Sequence, residues 1–178
     1  MKVFIAGPRA ETELDSNITK RLDKICNSNY TVIIGDADGI DSSVQKYLCD
    51  RNYQNVCVFA SNGKARNNFG NWKIENVIVA DTVKGFDFYA AKDLEMARQA
   101  DYGFMIWNGE SKGTFNNIIN LINLNKEVLV YYIPTKKFYT IRNIDDLNKF
   151  IRQNKKLNTE LLKMIPKIAS GYVQMSML

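Results

Sequence analysis

The 178-residue chain contains no histidine. This absence excludes Ser-His-Asp and Cys-His catalysis, histidine-ligated zinc and an imidazole general base. Any acid–base chemistry must therefore use Asp, Glu, Lys, Tyr or Cys. Nothing else in the composition indicates a metal or a cofactor, and we expect neither.

Cysteine is scarce, and long apolar runs are missing. The three cysteines (Cys26, Cys49 and Cys57) are odd in number and form no CxxC pair. With no recognisable export signal in the first residues, we expect reduced thiols in a cytoplasmic protein. No apolar run approaches the ~20 residues that a membrane-spanning helix needs, so no membrane contact is expected.

The first 148 residues lack net charge. Residues 149–178 carry six basic side chains and one acidic one, which accounts for the whole net charge of +5. A nucleic-acid-binding domain more often spreads basic residues over a folded face, so a nucleic acid is not an expected partner. The basic C-terminal stretch is read as a solvated helix face, with an anionic partner or an oligomer contact as alternatives.

Short β-branched runs alternate with helical stripes along the chain. This alternation predicts an α/β fold: a Rossmann-like, doubly wound, mostly parallel sheet flanked by helices, with a C-terminal helical extension. We place the main domain at residues 1–142 and the extension at 143–178. Strands are predicted at 2–6, 30–34, 55–60, 77–79, 102–107, 127–132 and 137–141, and helices at about 14–25, 40–48, 93–100, 114–124, 145–153 and 159–165.

Three of the predicted strands end in loops with ligand-binding character. They are Gly7-Pro8-Arg9, the segment from Gly35 to Asp41, and the segment from Asn108 to Thr114. Parallel sheets bind ligands beyond the carboxyl ends of their strands. The third loop joins a strand to an apolar helix, an arrangement that points backbone N–H groups at an anion. We therefore expect a phosphate or a phosphorylated nucleoside at this end of the sheet.

Several side chains near these loops have two readings. Arg9 and Arg66 are candidates for anion binding, because a guanidinium matches phosphate geometry. Trp107, at the end of a strand, is either a stacking platform for a base or a core residue. Lys112 either contacts the anion or faces solvent. One of the aspartates between Gly35 and Asp41 can instead cap the helix that starts near residue 40.

Two groups of motifs resemble a known superfamily. The run Lys92-Asp93-Leu94-Glu95-Met96-Ala97-Arg98, a strand, and then Gly109 with Gly113-Thr114 resemble the RKxxM and PGGxGTxxE motifs of LOG-type phosphoribohydrolases. The Gly35–Asp41 loop and the Arg66-Asn67 pair resemble the YspA-like branch of the same SLOG superfamily. The resemblance covers about residues 2 to 132.

The resemblance implies a Rossmann-like fold, a nucleotide-derived ligand and a homodimer or higher homo-oligomer. By position, Gly109, Ser111, Gly113 and Thr114 would hold phosphate, and Asp41 best matches the acidic position of the family. The full set of candidate ligand-binding residues is Gly7, Pro8, Arg9, Gly35, Asp36, Ala37, Asp38, Asp41, Arg66, Asn67, Trp107, Asn108, Gly109, Ser111, Lys112, Gly113, Thr114 and Asn117.

The sequence departs from the hydrolase pattern at its catalytic glutamate. Asn117 stands there, and an amide is neither a general base nor a nucleophile, although it can hydrogen-bond a ribose hydroxyl. Lys92 and Asp93 likewise replace the Arg-Lys pair. We therefore favour a protein that binds a nucleotide or an ADP-ribose-like molecule as a sensor or sequestering protein. The alternative is an N-glycosidase or phosphoribohydrolase whose carboxylate comes from Asp93, Asp41, Asp36 or Asp38. A third reading is an interaction module that acts through its basic tail.

Overall fold

The computed structural model describes residues 1–154 and residue 161. Strands and helices alternate along most of this length, as the sequence predicts. The strands are β1 (Lys2–Ala6), β2 (Thr31–Gly35), β3 (Val56–Ser61), β4 (Lys73–Val77), β5 (Tyr102–Trp107), β6 (Val128–Tyr132) and β7 (Lys137–Ile141). The helices are α1 (Ser16–Asn27), α2 (Ile40–Asp50), α3 (Phe86–Gln99), α4 (Lys112–Asn123) and α5 (Ile144–Gln153).

The seven strands form one sheet in the order β4-β3-β2-β1-β5-β6-β7. All neighbouring pairs are parallel except β6 and β7, which are antiparallel. The order reverses between β1 and β5, where the chain changes its direction of travel across the sheet. The predicted α/β, Rossmann-like, mostly parallel architecture is confirmed.

Both faces of the sheet are covered, which explains the continuous apolar runs in its central strands. On one face, α1 and α2 bury residues such as Ile18, Leu22 and Val44 against the sheet. On the other face, α3, α4 and α5 contribute Met96 and Phe115 among others to a second core. Helix α4 is buried along most of its length, as its apolar sequence indicates.

Two element boundaries differ from the prediction. Strand β4 covers Lys73–Val77 instead of 77–79, and α3 begins at Phe86, seven residues before its predicted start. Only Lys92, Met96 and Ala97 are buried in α3, so its first turns lack the apolar stripe on which the prediction relied. Of the predicted helix over 159–165 only residue 161 is described, and the basic residues Lys155, Lys156, Lys163 and Lys167 lie outside the described residues.

Within the described part of the chain, no helix combines the length and the apolar character required to cross a bilayer. The cytoplasmic location and the homo-oligomeric state stay predictions.

Candidate functional site

A cavity of about 430 Å³ opens at the carboxyl ends of the central strands. It lies at the point where the strand order reverses, which is the usual ligand site of open α/β sheets. The loops after β1, β2 and β5 and one side of α3 form its walls. The lining residues are Ala6, Gly7, Arg9, Ala37, Asp41, Gly85, Phe86, Tyr89, Ala90, Lys92, Asp93, Met96, Ser111, Lys112, Gly113, Thr114 and Asn117.

The first turn of α4 forms one wall of the cavity. Ser111 caps the helix, and its hydroxyl accepts from the Thr114 amide (3.3 Å) and the Thr114 hydroxyl (3.0 Å). The amides of Lys112 and Gly113 donate to no group among the described residues. A Cβ atom placed on Gly113 would meet nothing within 4 Å, so this glycine leaves open space in front of the helix end. Free amides at a helix N-terminus are suited to an anion.

The loop after β1 brings a guanidinium to the same cavity. Gly39, the residue before α2, has φ +80° and packs against the backbone of Pro8 and Arg9, where a Cβ atom would collide. The Ile40 amide donates to the Pro8 carbonyl (3.1 Å), which ties this loop to the start of α2. The exposed Arg9 side chain then lies over the Tyr89 ring, 4.4 Å from its centroid.

An ion-pair cluster around the buried carboxylate of Asp36 lies behind the cavity wall. Arg66 makes a two-pronged contact with Asp36, from Nε to Oδ2 (3.0 Å) and from Nη2 to Oδ1 (2.8 Å). The Nζ atom of Lys92, a side chain only 3% exposed, lies 3.1 Å from the same Oδ1. Burial by itself would raise the pKa of Asp36, but the Arg66 hydrogen bonds and the Lys92 charge hold it well below its usual range. Asp36 is therefore ionised and fully partnered.

The second aspartate of this region, Asp41, has the opposite environment. Burial, with a smaller contribution from the charges of Asp93 and Asp36, raises the pKa of Asp41 to about 7 against the lowering effect of the Lys92 charge. Its Oδ1 atom has no hydrogen-bond partner in the part of the chain that the structure describes. Gly35 leaves room for the Asp41 and Lys92 side chains, since a Cβ there would lie 2.5 Å from Asp41 Oδ2 and 2.8 Å from Lys92 Nζ.

Asp93 and Asn117 complete this side of the cavity. Burial raises the pKa of Asp93, although Lys92, the Asn117 side chain and Arg9 all act to lower it. Asp93 Oδ1 lies 3.8 Å from Lys92 Nζ, and its side chain stays 20% exposed. Asn117 is 3% exposed, and no described residue donates a hydrogen bond to its Oδ1.

The structure brings about half of the predicted site residues to one cavity. Gly7, Arg9, Ala37, Asp41, Ser111, Lys112, Gly113, Thr114 and Asn117 line it, together with the catalytic candidate Asp93. Arg66 instead pairs with Asp36, and both contribute to a smaller adjoining cavity of about 120 Å³ beside Tyr89. Pro8, Asp38, Asn108 and Gly109 lie in the same loops but outside the lining, Gly35 is the last residue of β2, and Asn67 lies in the loop between β3 and β4.

Two of the predicted ligand-binding residues, Asn67 and Asn108, make hydrogen bonds within the protein that hold their loops in place. Asn67 Nδ2 donates to the Asp36 carbonyl and to Asp38 Oδ1 (both 3.0 Å), which fixes its loop to the end of β2. Asn108 Oδ1 accepts from the amides of Glu110 and Ser111 (both 3.0 Å) and so shapes the turn before α4.

Trp107 is a core residue and does not reach the cavity, which corrects its reading as a stacking platform. Its side chain is fully buried and stacks on Phe115 at 5.3 Å, with Phe150 at 5.9 Å. Its Nε1–H donates to the Ser111 carbonyl (3.0 Å). The aromatic residues of the cavity are instead Phe86 and Tyr89, which the sequence did not single out because α3 was predicted to start later.

Among the described residues, no three carboxylate or thiol groups converge as metal ligands. The carboxylates of this site surround a lysine instead.

Comparisons with known proteins identify a similar fold and no family. No protein-family model matches the chain. No curated protein matches it either. A solved structure of DNA processing protein A from Helicobacter pylori, a protein with a unique single-stranded DNA binding mode, is similar in fold: the TM-score is 0.59 at 12% identity, over 96% of this chain and 81% of that one.

This similarity contradicts the expectation that a nucleic acid is not a partner, since a chain of this fold binds single-stranded DNA. The expectation rested on where the basic side chains lie in the sequence. A site built from backbone amides at strand ends adds nothing to net charge, so the charge distribution could not exclude it.

Proposed function

We propose that the cavity binds a nucleotide unit, with its phosphate at the first turn of α4. One observation carries the proposal: within residues 1–154 and 161, the amides of Lys112 and Gly113 have no hydrogen-bond partner, and they lie at a cavity of about 430 Å³ where the sheet order reverses. Arg9 and Lys112 add positive charge to the same wall. A cavity of this size falls in the ~300–1,000 Å³ range typical of small-molecule sites.

The exposed aromatic ring at the cavity mouth suits a base. Phe86 is 48% exposed and lines the cavity, so its face is open for stacking. Tyr89 is already flanked by two guanidiniums, Arg9 at 4.4 Å and Arg66 at 5.3 Å, which lie over its ring. Base–aromatic stacking contributes about 1–3 kcal/mol for each base.

Two similarities support a nucleotide unit over other anions. The SLOG resemblance of the loops implies a nucleotide-derived ligand. The similarity to DNA processing protein A makes a single-stranded nucleic acid a candidate carrier of that unit. A free nucleotide and a nucleotide within a strand both offer a phosphate and a base, the phosphate as a monoester in the first and as a diester in the second.

Calorimetric titration with the four nucleoside 5′-monophosphates, the matching nucleosides and a labelled single-stranded oligonucleotide tests the proposal. Monophosphates or the oligonucleotide are expected to bind, and nucleosides to bind much more weakly. Gly113→Val should abolish binding without loss of stability, because its Cβ enters open space and valine is a better helix residue than glycine. Asn116→Val, on α4 but outside the cavity lining, is the matched control. Unchanged binding in Gly113→Val would refute the phosphate position.

A second candidate function is cleavage of an N-glycosidic bond, and the environment of Asp41 favours it. A carboxyl with a pKa of about 7 can act as a general acid or base near neutral pH. Asp93, with its raised pKa, lines the same cavity. Incubation with the monophosphates followed by chromatography for free base tests this function. Base release that is lost in Asp93→Asn and kept in Asn117→Ala would support it, and ligand that binds and stays intact would support binding alone.

A further inference from the structure

Strand β4 is an edge of the sheet, and its outer side pairs with no strand among residues 1–154 and 161. Three hydrogen bonds show which of its backbone groups face inward. The Val77 carbonyl accepts from the Asn62 amide (3.0 Å). The Asn62 side chain donates to the Val79 carbonyl and accepts from the Val79 amide (2.7 Å each). Because this direction alternates along an extended chain, the amides and carbonyls of the even-numbered residues in this stretch face outward.

The outward-facing residues are Ile74, Asn76 and Ile78, and both isoleucines are exposed. Ile74 is 41% exposed and Ile78 is 87% exposed. Side chains two positions apart lie on the same face of a strand, so the isoleucines flank Asn76 on one face. Natural edge strands are usually protected by a charged side chain. The lysine of this edge, Lys73, is instead neutralised by Glu75 of the same strand (3.0 Å), so β4 is open to pairing.

A second copy of the same strand fits this edge in one antiparallel register. With a twofold axis at Asn76, each Asn76 meets its own copy, and Ile74 of one chain meets Ile78 of the other. The outward backbone groups then lie opposite one another, and each of these residue pairs exchanges two hydrogen bonds. Every exposed isoleucine is covered by an isoleucine of the other copy. Like charges do not face each other, because Lys73 and Glu75 each lie opposite a valine.

The neighbouring registers are less favourable. An axis at Ile74 would require outward pairing of Trp72, whose amide and carbonyl are already bonded to the Asn68 side chain. An axis at Glu75 would place two Glu75 carboxylates directly opposite each other, which is destabilising. An axis at residue 77 would place an amide side chain against an isoleucine. The axis at residue 76 is the one that matches apolar with apolar side chains and keeps the charges apart.

We infer that two copies of this chain associate through their β4 edges, so that their sheets continue across an antiparallel contact with its twofold axis at Asn76. A twofold contact is closed, so it yields a dimer and not a filament. An edge of five residues offers less contact than the ~1,200–2,000 Å² of a standard interface, so we expect a reversible dimer with micromolar affinity. Nucleotide binding is not required for this contact, because the cavity opens between β1 and β5, away from this edge.

Sedimentation velocity of the full chain, from low micromolar to several hundred micromolar concentration, tests the contact. We expect a reversible dimer whose fraction rises with concentration. Ile78→Lys should weaken the association about tenfold or more, because it places a charge on the paired edge and removes the apolar partner of Ile74. Ile144→Lys, where the isoleucine is 42% exposed on α5, is the matched control and should leave the dimer intact. Thermal melting of each variant shows that it is folded.

Introduced cysteines test the register. Asn76→Cys brings two thiols opposite each other, with about 5.5 Å between the Cα atoms, which a disulfide can bridge. Glu75→Cys places them diagonally at about 7–8 Å, which is too far. Under mild oxidation Asn76→Cys should form a covalent dimer and Glu75→Cys should not, with the unmodified chain as the blank for its own three cysteines.

Three results would overturn the inference. A wild-type chain that stays monomeric at every concentration would leave an extended segment of another protein as the occupant of the edge. A dimer that Ile78→Lys does not weaken would place the contact elsewhere. Covalent dimers of Glu75→Cys in place of Asn76→Cys would show a different pairing.

Discussion

At the scale of single residues, two aspartates near Lys92, Asp36 and Asp41, differ in pKa because their partners differ. Asp36 receives the Arg66 guanidinium and the Lys92 ammonium, so it is ionised. Asp41 receives neither in a hydrogen bond, and burial raises its pKa to about 7. The pKa of Asp36 is therefore lowered while that of the neighbouring Asp41 is raised. Such opposite shifts of nearby carboxyls are frequent in functional sites.

The raised pKa of Asp41 predicts that the unliganded protein loses stability as pH rises. Between pH 3.8 and about 7 the folded state holds a proton that the unfolded chain has released, so this stabilisation is complete below pH 4 and is lost as pH rises through 7. Its upper limit is about 4 kcal/mol at 1.36 kcal/mol per pKa unit. Melting temperatures at pH 5, 6, 7 and 8 should fall, and Asp41→Asn should flatten the slope.

The chain has no histidine to titrate in the same range, so Asp93, whose pKa is also raised by burial, is the other group expected to contribute to the slope. Asp36, with its lowered pKa, affects the pH dependence of stability only below about pH 4, where the unfolded chain takes up a proton that the folded protein does not. An Asp41→Asn protein with the same slope as the wild type would show that Asp41 is not the titrating group.

Removal of the buried Lys92 ammonium is expected to lower the free energy of unfolding. Lys92→Met takes away the ammonium that faces Asp36 and Asp93 and leaves those carboxylates less compensated. Breaking a buried ion pair from one side costs about 3–5 kcal/mol. Urea unfolding at pH 7 measures this loss, which should shrink at pH 5, where Asp41 and Asp93 take up protons more readily. Lys84→Met, at an exposed lysine, is the control, and a Lys92→Met loss as small as the control would contradict the prediction.

At the scale of elements, the first turn of α4 serves two functions at once. Ser111 caps the helix through the Thr114 amide, and its carbonyl accepts from the indole of the buried Trp107. The cap and the core residue thus hold the loop in place, while the amides of Lys112 and Gly113 stay open to the cavity. This division explains why only part of the Asn108–Thr114 loop lines the site.

Loss of the cap should cost stability and ligand affinity together. Ser111→Ala removes the acceptor of the Thr114 amide and hydroxyl, and substitution of a capping serine typically costs about 1 kcal/mol. Ser16→Ala, an exposed serine in the first turn of α1, should cost less than half of that. Urea unfolding compares the two variants. Equal stability of both proteins would show that Ser111 is not an effective cap.

The sequence predicts the elements better than the site, for a physical reason. Strands such as β1 and β5 bury continuous apolar runs, and those runs are visible in the sequence. The start of α3 is not visible in the sequence, because its first turns bury few side chains and a lysine, Lys92, occupies a core position. The contact between Asp36 and Lys92 joins residues 56 positions apart, so only the folded sheet brings the charge cluster together. The burial of Trp107 could not be predicted either, because an apolar run does not tell which of its side chains face the core.

At the scale of the whole molecule, the strand order creates the site. The reversal between β1 and β5 leaves a gap between the loops that follow them, and α3 and α4 close it from one side of the sheet. The antiparallel pair β6–β7 extends the sheet away from the cavity and provides the surface on which α5 packs. The predicted domain boundary at residue 142 falls between β7 and α5.

The packing of α5 predicts that the residues after this boundary contribute to the stability of the whole molecule. Phe150 is 2% exposed and contacts the rings of Tyr139 (4.7 Å between centroids) and Tyr132 (5.4 Å). Phe150→Ala should cost about 3–5 kcal/mol in urea unfolding, the usual cost for a buried phenylalanine. Ile144→Ala on the same helix, where Ile144 is 42% exposed, should cost far less. One cooperative transition with a large loss in Phe150→Ala means that α5 is part of the sheet's core. Equal, small losses of unfolding free energy in both variants would instead indicate that the segment from residue 143 is a separate extension.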